Sequence, residues 1–129
     1  MNPWQLAVTE FHRKFGVPVG SRPYIDRSRV ALRTRLIAEE ARETIDAMAV
    51  GDLTETADGL ADLIYVAIGA AVEFGIDLEP IFAEVQRSNM TKTADKDAGG
   101  KVLKGANFEP PQIARLLLKQ QARAETEGR

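Results

Sequence analysis

The sequence predicts a single all-α domain, residues 1–129, of four main helices plus a C-terminal one, and three observations carry that prediction. Asn or Asp starts and glycine stops divide the chain into segments of helical length. Apolar residues within those segments recur at helical spacing, and no run alternates as a half-buried strand does. The length suits one domain with its own core, yet is small enough to gain from an oligomer interface.

Asn2 and Pro3 supply an N-cap and a first helical position for a short helix that stops near Gly16. GVPVGSRPYID, with two prolines and two glycines, reads as a loop. A second helix is predicted from about Ser28 to Val50, with Gly51 placed just past its end. Asp52 caps a third, with Glu55 three residues later, and Gly75 ends it. Asp77 caps a fourth, running to about Lys92, with Glu79 and Pro80 in its first turn. Residues 93–109 lack helical periodicity and read as a basic loop, with a short extended piece at Lys101 to Lys104. A last helix begins at Pro110 or Pro111 and frays into AETEGR.

Composition narrows the function. With 17 Lys and Arg against 19 Asp and Glu, nothing biases the whole chain toward nucleic acid or a membrane surface. The absence of cysteine excludes a disulfide scaffold, a zinc ribbon and thiol catalysis, and points to the cytoplasm. The N-terminus lacks the basic and apolar regions of a signal peptide, and the apolar run from Leu60 falls short of the ~20 residues that cross a bilayer.

The chemistry concentrates in carboxylates. Glu39, Glu40 and Glu43 stand together mid-helix, and Asp62 interrupts the most apolar stretch, Leu60 to Val72. Burying such groups costs several kcal/mol unless a cation meets them. The one- or two-residue link between the second and third helices forces an antiparallel hairpin. Glu43 then lies about 12 Å before the turn and Asp62 about 15 Å after it, nearly level. On a helical wheel Glu40 and Glu43 fall inside the apolar arc of Val30, Leu32, Leu36, Ile37, Ala41, Ile45, Ala47 and Met48, with Glu39 on its margin. Asp58, Asp62, Tyr65 and Gly69 share a stripe of the third helix, whereas its strongest apolar face, Leu60, Leu63, Ile64, Ala67 and Ala71, points elsewhere. A surface acidic run partnered by Arg33, Arg35 and Arg42 is the competing explanation. A di-iron bundle would want paired Glu-x-x-His motifs, and His12 is the sole histidine. Oxygen-only ligands favour Mg²⁺, or Mn²⁺.

AEEARETI followed by GLADLIYV resembles the EExxE…ExxD signature of the all-α nucleoside triphosphate pyrophosphohydrolases, which include MazG-like proteins, dimeric dUTPases and phosphoribosyl-ATP pyrophosphohydrolases. EFH near the start, FAEVQRSNMTK and GGKVLKGANFEPPQI extend the likeness to a MazG-like, phosphoribosyl-ATP pyrophosphohydrolase-like subgroup. The resemblance implies Mg²⁺-dependent cleavage between the α and β phosphates, giving a nucleoside monophosphate and pyrophosphate, as in house-cleaning of dUTP, dCTP, a damaged purine nucleotide or phosphoribosyl-ATP. It implies metal ligation by Glu40, Glu43 and Asp62, activation of water by Glu39, and substrate contacts from Asn89 and Lys92. A homodimer or dimer of dimers, built on the second and third helices, is the implied assembly.

One position departs from the signature: Gly59 stands where the second motif has a glutamate. Asp58 is then the candidate to supply the missing oxygen, and a glutamate restored at 59 is expected to complete the site. The alternative function is a nucleotide-binding or regulatory protein with reduced or lost catalysis. Lys101 and Lys104 are candidates to close over a triphosphate, and His12, with Phe11 and Phe15, to edge a base pocket. GGKVLKG is not a Walker A loop.

Overall fold

The computed structural model describes residues 1–128. Its helices are α1 (Pro3–Phe15), α2 (Val30–Ala49), α3 (Leu53–Glu73), α4 (Leu78–Asn89) and α5 (Ile113–Thr126). The caps act as their residue types dictate: the Asn2, Asp52 and Asp77 side chains accept from the backbone N–H of Gln5, Glu55 and Glu79. The stop glycines Gly16, Gly51 and Gly75 take left-handed backbone, with φ of 68°, 73° and 66°.

Three boundaries differ from the sequence reading. The turn before α2 is a separate 3₁₀ turn, Arg27–Arg29, because the Asp26 carboxylate accepts from the Ser28 N–H and hydroxyl. α4 stops at Asn89, short of Lys92, and α5 starts at Ile113, past both prolines. Residues 93–109 are also better tied than a free loop. Lys96 and Val102 form an isolated antiparallel bridge, supported by Thr93 N–H to the Leu103 carbonyl at 3.0 Å and Leu103 N–H to the Asp95 carbonyl at 2.9 Å.

α2 and α3 form the antiparallel hairpin and the most extensive packing in the fold, and α1 lies across α3. The small apolar core is Val8, Ile68 and Val72, with Leu78 against it. Gln5 joins α1 to the start of α4, donating to the Ile76 carbonyl and accepting from the Leu78 N–H. The loop after α1 wraps the end of α3 through Gly20 N–H to the Val72 carbonyl and Tyr24 N–H to the Phe74 carbonyl. Among the described residues no single helix is long and apolar enough to cross a membrane.

The entry to α5 hangs on one carboxylate. Glu84 accepts from Arg87 Nε at 2.8 Å and Nη2 at 3.0 Å, and from the Gln112 N–H at 2.7 Å. Arg87 also reaches Glu109 at 3.1 Å. Hydrogen bonds from Arg87, then from the Gln112 backbone, pull the Glu84 carboxyl from its ordinary 4.5 down to about 2. A pKa lowered by folding contributes stability that is complete above pH 4.5 and lost as pH falls toward about 2. Amide protection in residues 113–124, corrected for intrinsic exchange, should therefore fall across that window. Glu84→Gln should lower the protection already at neutral pH and flatten its acid dependence; unchanged protection in the variant would refute the linkage.

Candidate active site

α2 carries Glu39, Glu40 and Glu43, and α3 carries Asp58 and Asp62. The close antiparallel pairing of the two helices brings all five into one electrostatic group. Burial first, then the charges of Glu43, Asp62, Asp58 and Glu39, raise the Glu40 carboxyl above its ordinary value. One Glu40 oxygen, Oε2, is buried and has no hydrogen-bond partner. Glu40 and Asp62 are half-buried, whereas Glu39, Glu43 and Asp58 are exposed. Glu39 lies 3.8 Å from Arg35 Nε, one turn back on α2. Among the described residues no cation pairs with Glu40, Glu43, Asp58 or Asp62. The arginine-partnered explanation of the acidic run therefore holds only for Glu39.

An orphaned, buried carboxylate oxygen in the field of four further carboxylates, of which Glu39 alone has an arginine within reach, is an environment a divalent ion would relieve. The all-oxygen donor set suits a hard ion such as Mg²⁺. Among the described residues no three acidic or histidine side chains converge on one point closely enough to ligate an ion. Like charges repel, so a cation would be held only if the rotamers drew inward around it. Glu40, Glu43 and Asp62, with Asp58 beside them, are the residues able to do so.

Position 59 takes on a different meaning in the fold. Gly59 is buried at the α2–α3 contact, and a β-carbon there would lie 2.5 Å from Thr44 Oγ1 and 3.1 Å from Thr44 Cα. Thr44 is itself buried, its hydroxyl donating to the Glu40 carbonyl at 2.7 Å. The glycine is thus a close-approach residue between helices. A glutamate at 59 would therefore require Thr44 to shift.

The remaining candidates lie elsewhere. His12 is buried, its Nδ1 bonded to the Pro18 carbonyl at 2.9 Å, while Phe11 stacks edge-on with Tyr65. Asn89 ends α4 with its side chain exposed, and Lys92 follows in the turn. Lys101 and Lys104 are exposed on the bridged segment, Lys104 Nζ lying 5.1 Å from the Phe108 ring centre. Sequence reasoning passed over Thr44 and Glu73. Glu73 had a signal, since it closes an apolar run as Asp62 interrupts one; Arg29 and Arg33 both bind it.

Comparison with known proteins bears on this arrangement. The sequence model of the family described as phosphoribosyl-ATP pyrophosphohydrolase matches residues 8–89, which hold all five carboxylates. The chain belongs to the phosphoribosyl-ATP pyrophosphohydrolase family. The family match takes in α2 and α3 entire and ends at Asn89, so Lys92, Lys101 and Lys104 fall outside it. Over 78 residues the chain is also 38% identical to Uncharacterized protein L479 of Acanthamoeba polyphaga mimivirus, a match spanning 57% of this chain and 31% of that protein.

Overpacking at a buried helix contact typically costs about 1–3 kcal/mol. Gly59→Glu should lower stability to chemical denaturation by about that amount, and Thr44→Gly in the same chain should recover part of the loss. A Gly59→Glu protein as stable as wild type would show that the contact yields freely.

Proposed function

We propose that this chain is a Mg²⁺-dependent nucleoside triphosphate pyrophosphohydrolase that breaks the α–β phosphoanhydride and releases a nucleoside monophosphate and pyrophosphate. The observation that carries the proposal is the unpartnered, buried Glu40 oxygen among Glu43, Asp62 and Asp58, on the two helices matched by the family. When bound, Mg²⁺ would neutralise charge on the phosphates and make a water more acidic. Glu40, Glu43 and Asp62 hold the cation, and Asp58 contributes an oxygen or orients a water. Glu39, exposed at the margin, takes the proton from the attacking water as its oxygen bonds to phosphorus and pyrophosphate departs. Asn89 and Lys92 bind sugar or phosphate at the end of α4, and Lys101 and Lys104 approach the triphosphate from the bridged segment. The family match supports a small nucleotide substrate, with dUTP kept as a candidate, and the balance of 17 Lys and Arg against 19 Asp and Glu gives no reason to add a nucleic acid or membrane partner.

The exposed apolar side chains of α2 and α3, among them Ile37, Ile45, Met48, Leu60 and Ile64, support a homodimer or dimer of dimers that covers them. A second functional reading, nucleotide binding without turnover, is favoured by one observation: Thr44 leaves no room for a side chain at Gly59.

A panel of nucleotides incubated with Mg²⁺ and resolved by chromatography separates the two readings. Monophosphate and pyrophosphate in equal amounts support the hydrolase; tight binding with no product supports the second reading. Glu40→Ala, Glu43→Ala and Asp62→Ala should stay folded and lose hydrolysis, since removing a carboxylate also relieves repulsion. Glu39→Ala should keep cation binding and turn over about a hundredfold more slowly or worse. Full activity in Glu40→Ala would reject the site.

Substituting Lys101 or Lys104 by Ala should raise KM for the triphosphate with little change in kcat, as expected of groups that bind without entering the chemistry. An unaltered KM in both would remove the segment from the site. Light scattering should give a multiple of the monomer mass, and a well-folded monomer at micromolar concentration would contradict the proposed assembly.

A further inference from the structure

Two turns from the acidic group, the same helix–helix face holds a second set of charges that the proposed chemistry does not use. Glu73, its side chain fully buried at the end of α3, faces Arg29 Nε at 2.5 Å and Arg33 Nε at 2.6 Å. The Arg33 side chain, 9% exposed, lies across Gly69, where any β-carbon would collide with Nη1. His12 Nε2 lies 3.4 Å from the same β-carbon position and closes the pocket from α1.

The positions of these contacts fix a register. Arg33 precedes Glu40 by seven residues on α2, and Gly69 follows Asp62 by seven on α3. Both steps are two helical turns, about 10.5 Å. In an antiparallel pair, equal steps mean that seating Arg33 on Gly69 sets Glu40 level with Asp62. On the far side, Thr44 meets Gly59 within one turn of the same carboxylates. The acidic group thus sits between a steric contact at the turn end of the hairpin and an ionic one at its open end.

We propose that Arg33, anchored by Glu73 and seated on Gly69, is a positioning residue for the divalent-cation site. The inference rests on the metal reading of the acidic group. Between the two contacts α2 and α3 face each other through like charges, which drive them apart. The open end therefore needs a contact that resists both separation and sliding. A planar guanidinium paired through Nε with a buried carboxylate and laid against a glycine does this, because the ion pair resists separation and the seat at Gly69 resists sliding. A slip of one residue shifts each ligand-bearing backbone position by about 1.5 Å, a displacement that adds to what the carboxylate rotamers must already cover to reach Mg²⁺–oxygen distances of about 2.0–2.1 Å.

The test uses Mn²⁺ as the probe, read by electron paramagnetic resonance on the full chain, with circular dichroism to establish folding. Arg33→Lys keeps the charge and loses the fork; Gly69→Ala keeps every charge and unseats Arg33. Each should weaken Mn²⁺ binding roughly tenfold or more at temperatures where the protein is folded, the range expected for residues that orient metal ligands indirectly. Leu116→Ala on α5 is the control: it should lower the unfolding midpoint and leave Mn²⁺ affinity unchanged, which separates positioning from general instability. Wild-type affinity in folded Arg33→Lys and Gly69→Ala would overturn the inference and leave the metal reading standing. Wild-type protein that binds no Mn²⁺ would overturn the metal reading, and this inference with it.

Discussion

α2 and α3 meet through a polar stripe, and the rest of the structure depends on how that stripe is compensated. Thr44 and Gly59 touch at the turn end, and Arg33 and Arg29 hold Glu73 at the open end. Breaking a buried ion pair by removing one partner typically costs about 3–5 kcal/mol, because the remaining charge is stranded. Nothing comparable compensates Glu40, Glu43, Asp58 and Asp62 between them. The fold thus neutralises the buried Glu73 with two arginines and, about three turns away along α3, leaves Glu40 and Asp62 without a cation among the described residues.

The same choice of face explains the exposed apolar surface. With α3 turned so that Gly59, Gly69 and Glu73 are buried, its Leu60 is left exposed, and its Ile64 and Tyr65 line a groove shared with Trp4 and Val8 of α1. The apolar side chains of α3 that are buried within the chain, Ile68, Ala71 and Val72, lie toward its far end. The apolar core of the single chain is correspondingly small.

Gly59 shows how a motif and a packing contact can trade places. Read as a signature, the position lacks a ligand; in the fold, a side chain there would displace Thr44, whose hydroxyl is bonded to the Glu40 carbonyl. Helix contact and ligand count are thus decided by the same residue. The substrate-side candidates are governed separately. The bridged segment with Lys101 and Lys104 leaves α4 near Asn89 and rejoins it through the Ser88 hydroxyl on the Glu109 carbonyl and the Glu109 N–H on Thr91.

The sequence by itself determined the helices and those ends that a cap or a glycine stop marks, because such signals act over a few residues: Asn2, Asp52, Asp77, Gly16, Gly51 and Gly75 all do locally what their chemistry dictates. It also brought Glu43 and Asp62 to nearly one level, since a short turn forces an antiparallel hairpin; the finer register, which sets Glu40 level with Asp62, came from the seating of Arg33 on Gly69. Only the tertiary structure decided which face of α3 turns toward α2. The wheel separated the strongest apolar face, Leu60, Leu63, Ile64, Ala67 and Ala71, from the stripe of Asp58, Asp62, Tyr65 and Gly69 without assigning either to α2; in the fold Gly59 and Gly69 meet α2, because glycines permit close approach and Arg33 is compensated by Glu73. It also decided that His12 is an interior group bonded to Pro18, and that Gly59 is a seat for Thr44. Those facts depend on pairs of residues far apart in the chain, which no local pattern can join.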